Sequence, residues 1–187
     1  MILIPIIESI DEILNDMPAL INKLKTSVNM PDRECAEFIS RLEAVSSKYR
    51  FPITGQLSVI RGKIICGAPK ESAANLSRKE RQASEKRFML TQLESAYNCV
   101  NSYLDGERKV IGECERLVCQ ISARLVACGA LINTEPSDIT GSALMALAAR
   151  DKELMPILAH VVGLAGAPNT NILFEKTMSL AGIYEKE

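Results

Sequence analysis

Between Leu90 and Ile132 apolar residues recur at alternating spacings of three and four without a break. The series is Leu90, Leu93, Tyr97, Val100, Leu104, Glu107, Ile111, Cys114, Val118, Ile121, Leu125, Cys128 and Ile132, and only Glu107 interrupts its apolar character. That is the period of an α-helix seen from one side; a strand changes face every two residues and cannot satisfy it. A second row at Met89, Ala96, Tyr103, Val110, Leu117 and Leu131 widens the face. A two-position seam suits a two-stranded coiled coil, whereas three positions suit a helix buried on several sides of a bundle. Asp105-Gly106 falls midway and would suit the turn of a helical hairpin, since Gly is favoured just past a helix C-terminus. The register nevertheless runs through it unshifted, and Gly inside a helix costs only about 1 kcal/mol against Ala. One long helix is the expectation, ended by Thr134-Glu-Pro136-Ser-Asp138.

The same period governs the flanks. Ile6, Ile10, Ile13 and Leu14 form one face opposite Glu8, Asp11 and Glu12. Asp16 and Pro18 suit a fresh start, after which Leu20, Ile21, Leu24 and Val28 follow. Pro31-Asp32 opens a third helix bearing Cys35, Phe38, Ile39, Leu42 and Val45, which should stop near Tyr49 because Phe51-Pro52 cannot continue it. Residues 53–67 read in two ways. Thr54 would cap a helix bearing Leu57, Ile60 and Ile64, or two short strands would flank an Arg61-Gly62 turn. An isolated hairpin is marginal, so the helix is taken. Beyond residue 138 three short helices are expected, at about 141–150, 151–164 and 171–181. Asp151 should cap the second, and Pro156 should kink it. The fold class is therefore all-α: a helical bundle organised on one long helix (or a long helical hairpin), with an N-terminal helical segment. By composition the chain divides into residues 1–67, the N-terminal segment, and 68–187, a basic connector followed by the long helix and C-terminal bundle. Three short helices offer little cover for so wide a face, which predicts a symmetric homo-oligomer built on Leu90, Leu93, Tyr97, Val100, Leu104, Ile111, Val118, Ile121 and Leu125.

With 187 residues the chain is long enough to bury a core unaided by metal or disulfide. Six cysteines stand at 35, 66, 99, 114, 119 and 128, with no Cys-x-x-Cys pair and only one histidine, His160. Structural thiols in a cytoplasmic, reducing compartment are expected, with Cys114 and Cys128 as small hydrophobes on the stripe. The apolar start, Met1-Ile-Leu-Ile-Pro-Ile-Ile7, lacks a basic flank and does not read as a signal peptide. The longest apolar run, from Met155 to Pro168, is too short to span a bilayer, and no membrane association is expected. Enzyme signatures are missing. Gly55 and Gly62 precede Lys63 at a spacing no phosphate-binding loop has, and no nucleophile elbow, dinucleotide fingerprint or zinc-protease motif occurs. His160 lies among Leu158, Ala159, Val161 and Val162, a setting for a packed histidine rather than a base. No catalytic residue, metal or cofactor is expected.

One local feature points to a partner. The net charge is −1, yet between Ser47 and Phe88 ten basic side chains face three acidic ones. A basic tract in an otherwise acidic chain suits a phosphate-bearing partner, because each neutralised phosphate releases a counterion. The candidates are Arg61, Lys63, Arg78, Lys79, Arg81, Lys86 and Arg87. No aromatic residue interleaves them, so recognition would run through backbone and shape, of RNA or a duplex, without sequence preference. Cations around much of a helix's girth also describe a merely solvated face. A second class fits as well: a helical interaction module, such as an adaptor, secretion chaperone or effector, with a groove for a partner protein helix.

Overall fold

A computed structural model describes residues 2–26, 31–68, 77–131, 135 and 138–180. Val28, Ile132, Thr134, Pro136 and residue 181, all part of the expectations above, lie outside them, as do Lys70 and Glu71, which are counted in the basic tract. The described residues form an all-α bundle of seven helices: α1 (Ile4–Leu14), α2 (Met17–Thr26), α3 (Asp32–Lys48), α4 (Thr54–Cys66), α5 (Arg78–Ala127), α6 (Gly141–Arg150) and α7 (Met155–Leu180). They pack as two compact units, Pro5–Leu104 and Met1–Ile4 with Asp105–Glu187. The division falls inside α5, whereas composition changes near residue 67.

In the N-terminal unit each helix buries the face its period marks: Ile10, Ile13 and Leu14 on α1, Leu20 and Leu24 on α2, Phe38, Ile39 and Leu42 on α3. Two ion pairs, Lys23–Glu34 and Arg41–Asp16, both 2.6 Å, tie α2 and the residue just before it to α3. The end of α3 is a Schellman motif, with the Phe51 N–H donating to Ser46 O (2.8 Å) and the Arg50 N–H to Ser47 O (3.0 Å). Arg50 takes the left-handed conformation, φ 57°, that glycine usually fills. Residues 54–66 are helix, and the hairpin alternative is excluded. Leu57, Ile60 and Ile64 are buried as the helical spacing requires. Thr54 does not cap α4, however: its hydroxyl donates to Phe51 O at 2.7 Å and Ile53 holds the cap position. The Phe51 ring packs on Tyr103 (centroids 5.1 Å) and Cys99 meets Gln56 at 2.9 Å, so α4 runs antiparallel to α5.

α5 is one unbroken helix through Asp105-Gly106. Its packed face carries Met89, Leu93, Ala96, Val100, Leu104, Ile111, Cys114, Val118, Ile121 and Leu125, all buried. Because Met89 and Ala96 lie on this face, it is turned slightly from the expected line; Tyr97 is 41% exposed. The stripe is covered within the chain, which removes the ground on which self-association was expected. The helix ends earlier than Thr134. The Ala130 N–H donates to Leu125 O and the Gly129 N–H to Val126 O (both 3.0 Å), and Gly129 has φ 74°. This second Schellman motif leaves Cys128 exposed rather than on the stripe.

In the C-terminal unit, Thr140 caps α6 by accepting the Ala143 N–H at 3.2 Å. Gly141 has no alternative: a Cβ there would lie 2.3 Å from the Asn171 carbonyl oxygen. Asp151 Oδ1 accepts the Glu153 and Leu154 N–H groups at 2.8 and 3.2 Å, capping the turn that leads into α7. Pro156 is the second residue of α7, inside its first turn, and makes no kink. The break comes at Gly166 (φ 76°, ψ 153°), so the two expected helices meet there as one kinked element. Over Met155–Ser179 α7 has the length and apolarity of a membrane span. In this fold Val161, Ala165, Leu173, Phe174 and Met178 on it are core residues. Buried Asn169 grips the N-terminal backbone, accepting the Ile4 N–H (3.0 Å) and donating to Ile2 O (3.1 Å). Glu107, the one polar member of the stripe, accepts the Ile2 N–H at 3.2 Å.

Candidate nucleic-acid interface

The first turns of α5 carry five of the seven candidate cations. A capping box builds this helix start: the Glu80 N–H donates to Ser77 Oγ (3.3 Å) and the Ser77 N–H to Glu80 Oε2 (2.9 Å). The Ser77 hydroxyl and N–H hold the Glu80 carboxyl below the usual carboxylate range. Ser77-x-x-Glu80 is the sequence signature of such a start, unclaimed in the sequence reading above. The box fixes where the cations begin.

Arg78, Lys79, Arg81 and Arg87 are exposed, and none of their side chains enters an ion pair or hydrogen bond with a described residue. At 3.6 residues per turn Arg78 and Arg81 share one side of the helix, Lys79 another, and Arg87 projects roughly opposite Arg78. Lys86 lies seven residues after Lys79, on the same side, where its ammonium donates to Lys25 O at 3.4 Å. The candidates therefore ring the helix rather than converge on one stripe. The two on α4 differ from each other. Arg61 is engaged with Glu43 at 2.6 Å, half-buried, and binds α4 to α3. Lys63 is exposed and faces α5 across the groove that also holds Phe88 and Gln92.

No group of three or more His, Cys, Asp or Glu side chains suited to a metal exists among the described residues. His160 is exposed on α7, contrary to the packed setting its neighbours suggested: Leu158 and Val161 face the core and His160 falls between them on the outer side. Of the cysteines, Cys35 and Cys114 are buried, and burial pushes the Cys35 thiol up to about 11. The chain matches no protein-family model, no characterised protein and no solved structure.

Proposed function

We propose that this is a non-enzymatic helical protein that binds RNA or duplex nucleic acid through phosphate contacts made by the cationic start of α5. One observation carries this reading: Arg78 and Lys79 occupy the first turn of a 50-residue helix, exposed and without ion-pair partners among the described residues. That end of a helix carries the positive end of the dipole, so cations there cost the fold roughly 0.3–1 kcal/mol each instead of stabilising it. Residues placed against the local field, and idle in packing, are available to an anionic ligand. A ring of cations with no stacking aromatics suits backbone contact without base reading. A reducing, cytoplasm-like location belongs to the same reading, since Cys66, Cys119 and Cys128 are exposed thiols. A helical interaction module is the second reading, favoured by an open groove beside α4.

Replacing Arg78 and Lys79 together with Glu tests the proposal, because Glu in a first turn suits the helix while reversing the charge. Binding of generic duplex RNA, measured against salt, should weaken at least about tenfold, and the log–log salt slope should fall by roughly two units. Unchanged binding by a folded variant, or no binding by the wild type at low salt, rejects the reading.

A further inference from the structure

We propose that the groove between α4 and α5 in the N-terminal unit docks an amphipathic helix of a partner protein whose apolar row is flanked by carboxylates. α4 is apolar on two faces. Leu57, Ile60 and Ile64 fill the core, while Val59, at 59% exposure, and Cys66 stand on the outer side with Gly62 between them. The inner face packs toward α3, and among the described residues the outer one meets only the edge of α5. Across from this face Phe88 and Gln92 of α5 complete a trough of about 560 Å³. That volume lies within the roughly 300–1,000 Å³ of ligand sites, but the trough is open along its length, unlike the enclosed pocket of a small molecule. From Val59 to Gly67 it extends about 12 Å, enough for two turns of a helix presenting residues i, i+4 and i+7.

The charge of the walls selects the occupant. α4 contains Arg61 and Lys63 and no acidic residue. Lys63 lines the trough with its ammonium exposed, and Arg81 and Glu85 precede Phe88 on the α5 side. Arg61 is held by Glu43 on α3, so Lys63 is the charged side chain of the lining, a single cation over an apolar floor. Nucleic acid would meet that floor without the row of stacking rings it needs, whereas an acidic amphipathic helix satisfies both parts. Gly62 leaves the trough open: a Cβ there would meet nothing within 4 Å.

Fluorescence anisotropy with two designed helical peptides of about 18 residues, sharing one leucine row and flanked by Glu or by Lys, tests this. The Glu-flanked peptide should bind with micromolar affinity and the Lys-flanked one at least about tenfold more weakly. Gly62→Leu fills the trough while remaining helical, and should weaken the Glu-flanked peptide about tenfold with duplex-RNA binding unchanged. Lys63→Glu should reverse the preference between the two peptides. Absence of binding, equal binding of both, or indifference to Gly62→Leu overturns the proposal. Two further results also overturn it. Competitive displacement of the peptide by duplex RNA would make nucleic acid the occupant. A doubled mass in light scattering that Gly62→Leu returns to 20.5 kDa would make it a second copy of this chain.

Discussion

α5 and α7 both meet a glycine well inside their length, and only α7 breaks. In α5, Gly106 is flanked by Leu104 and Ile111, both buried, so the packed face holds the helix on either side of it. Lys109 reaches back to Asp105 at 2.9 Å across the same turn. That hydrogen bond holds Asp105 below and Lys109 above their usual ranges. In α7, Gly166 is followed by Ala167-Pro168. Proline disfavours the helical conformation in the residue before it, and its ring collides with the carbonyl four residues back. Gly166 absorbs the conflict by taking φ 76°, and the Thr170 hydroxyl donates to the Gly166 carbonyl (2.9 Å). A glycine permits a break; packing or proline decides whether one occurs.

If packing holds α5 together, the largest effect comes from destroying the stripe beyond Gly106. Ile121 is fully buried, and Ile121→Asp strands a carboxylate there without a partner. A loss of about 4 kcal/mol or more is expected, read as a fall in the thermal midpoint and in helical circular dichroism. Alkylation should then reach Cys114, buried in the native fold on the same face, as fast as exposed Cys119. A folded variant with Cys114 still protected would mean that the stripe is not what carries α5 past its glycine.

The two glycines should next respond to one substitution with opposite signs. Gly106 is helical and open, so Gly106→Ala should gain about 1 kcal/mol by helix propensity and reduced unfolded-state entropy. Gly166→Ala forces a side chain into a backbone region that is nearly glycine-only and should lose about 2 kcal/mol. Urea unfolding of both variants measures the difference. Equal signs would show that the contrast between α5 and α7 does not lie in these backbones.

That contrast also explains what the sequence could show. The stripe predicted a helix crossing Gly106, since heptad register survives a loop only by accident. It could not show the end of that helix, because Cys128 and Ile132 kept the register while Gly129 supplied a left-handed cap. The pattern records side chains, and the cap is a backbone event. Pro156 misled for a related reason: an expected start at Asp151 placed it mid-helix, whereas Asp151 caps a separate turn and the helix proper starts at Met155. The stripe's own cover could not be read either, since it is set by tertiary packing. At the basic region the sequence named every cation. It could not distinguish Arg61, bound to Glu43, from Lys63, two residues on and exposed.

The smallest expected effect concerns a cost that α5 carries besides Gly106. Ser122 follows Ile121 and is 4% exposed, and its hydroxyl oxygen is buried with no hydrogen-bond partner among the described residues. A buried hydroxyl loses its water and here regains nothing, a penalty of about 1–3 kcal/mol. Helix serines often escape by donating to the carbonyl four residues back; this one does not. Ser122→Ala removes the stranded oxygen and installs the best helix former, against a small loss of contact where the oxygen stood. A net gain of about 1 kcal/mol is expected, a rise of roughly 2–4 °C in the thermal midpoint for a chain of this size. In Gly106→Ala/Ser122→Ala the two gains should add, because sixteen residues of helix separate the sites by about 24 Å. A drop in midpoint for Ser122→Ala would mean that the hydroxyl has a partner in solution, and the packing of α5 at that turn would have to be redrawn.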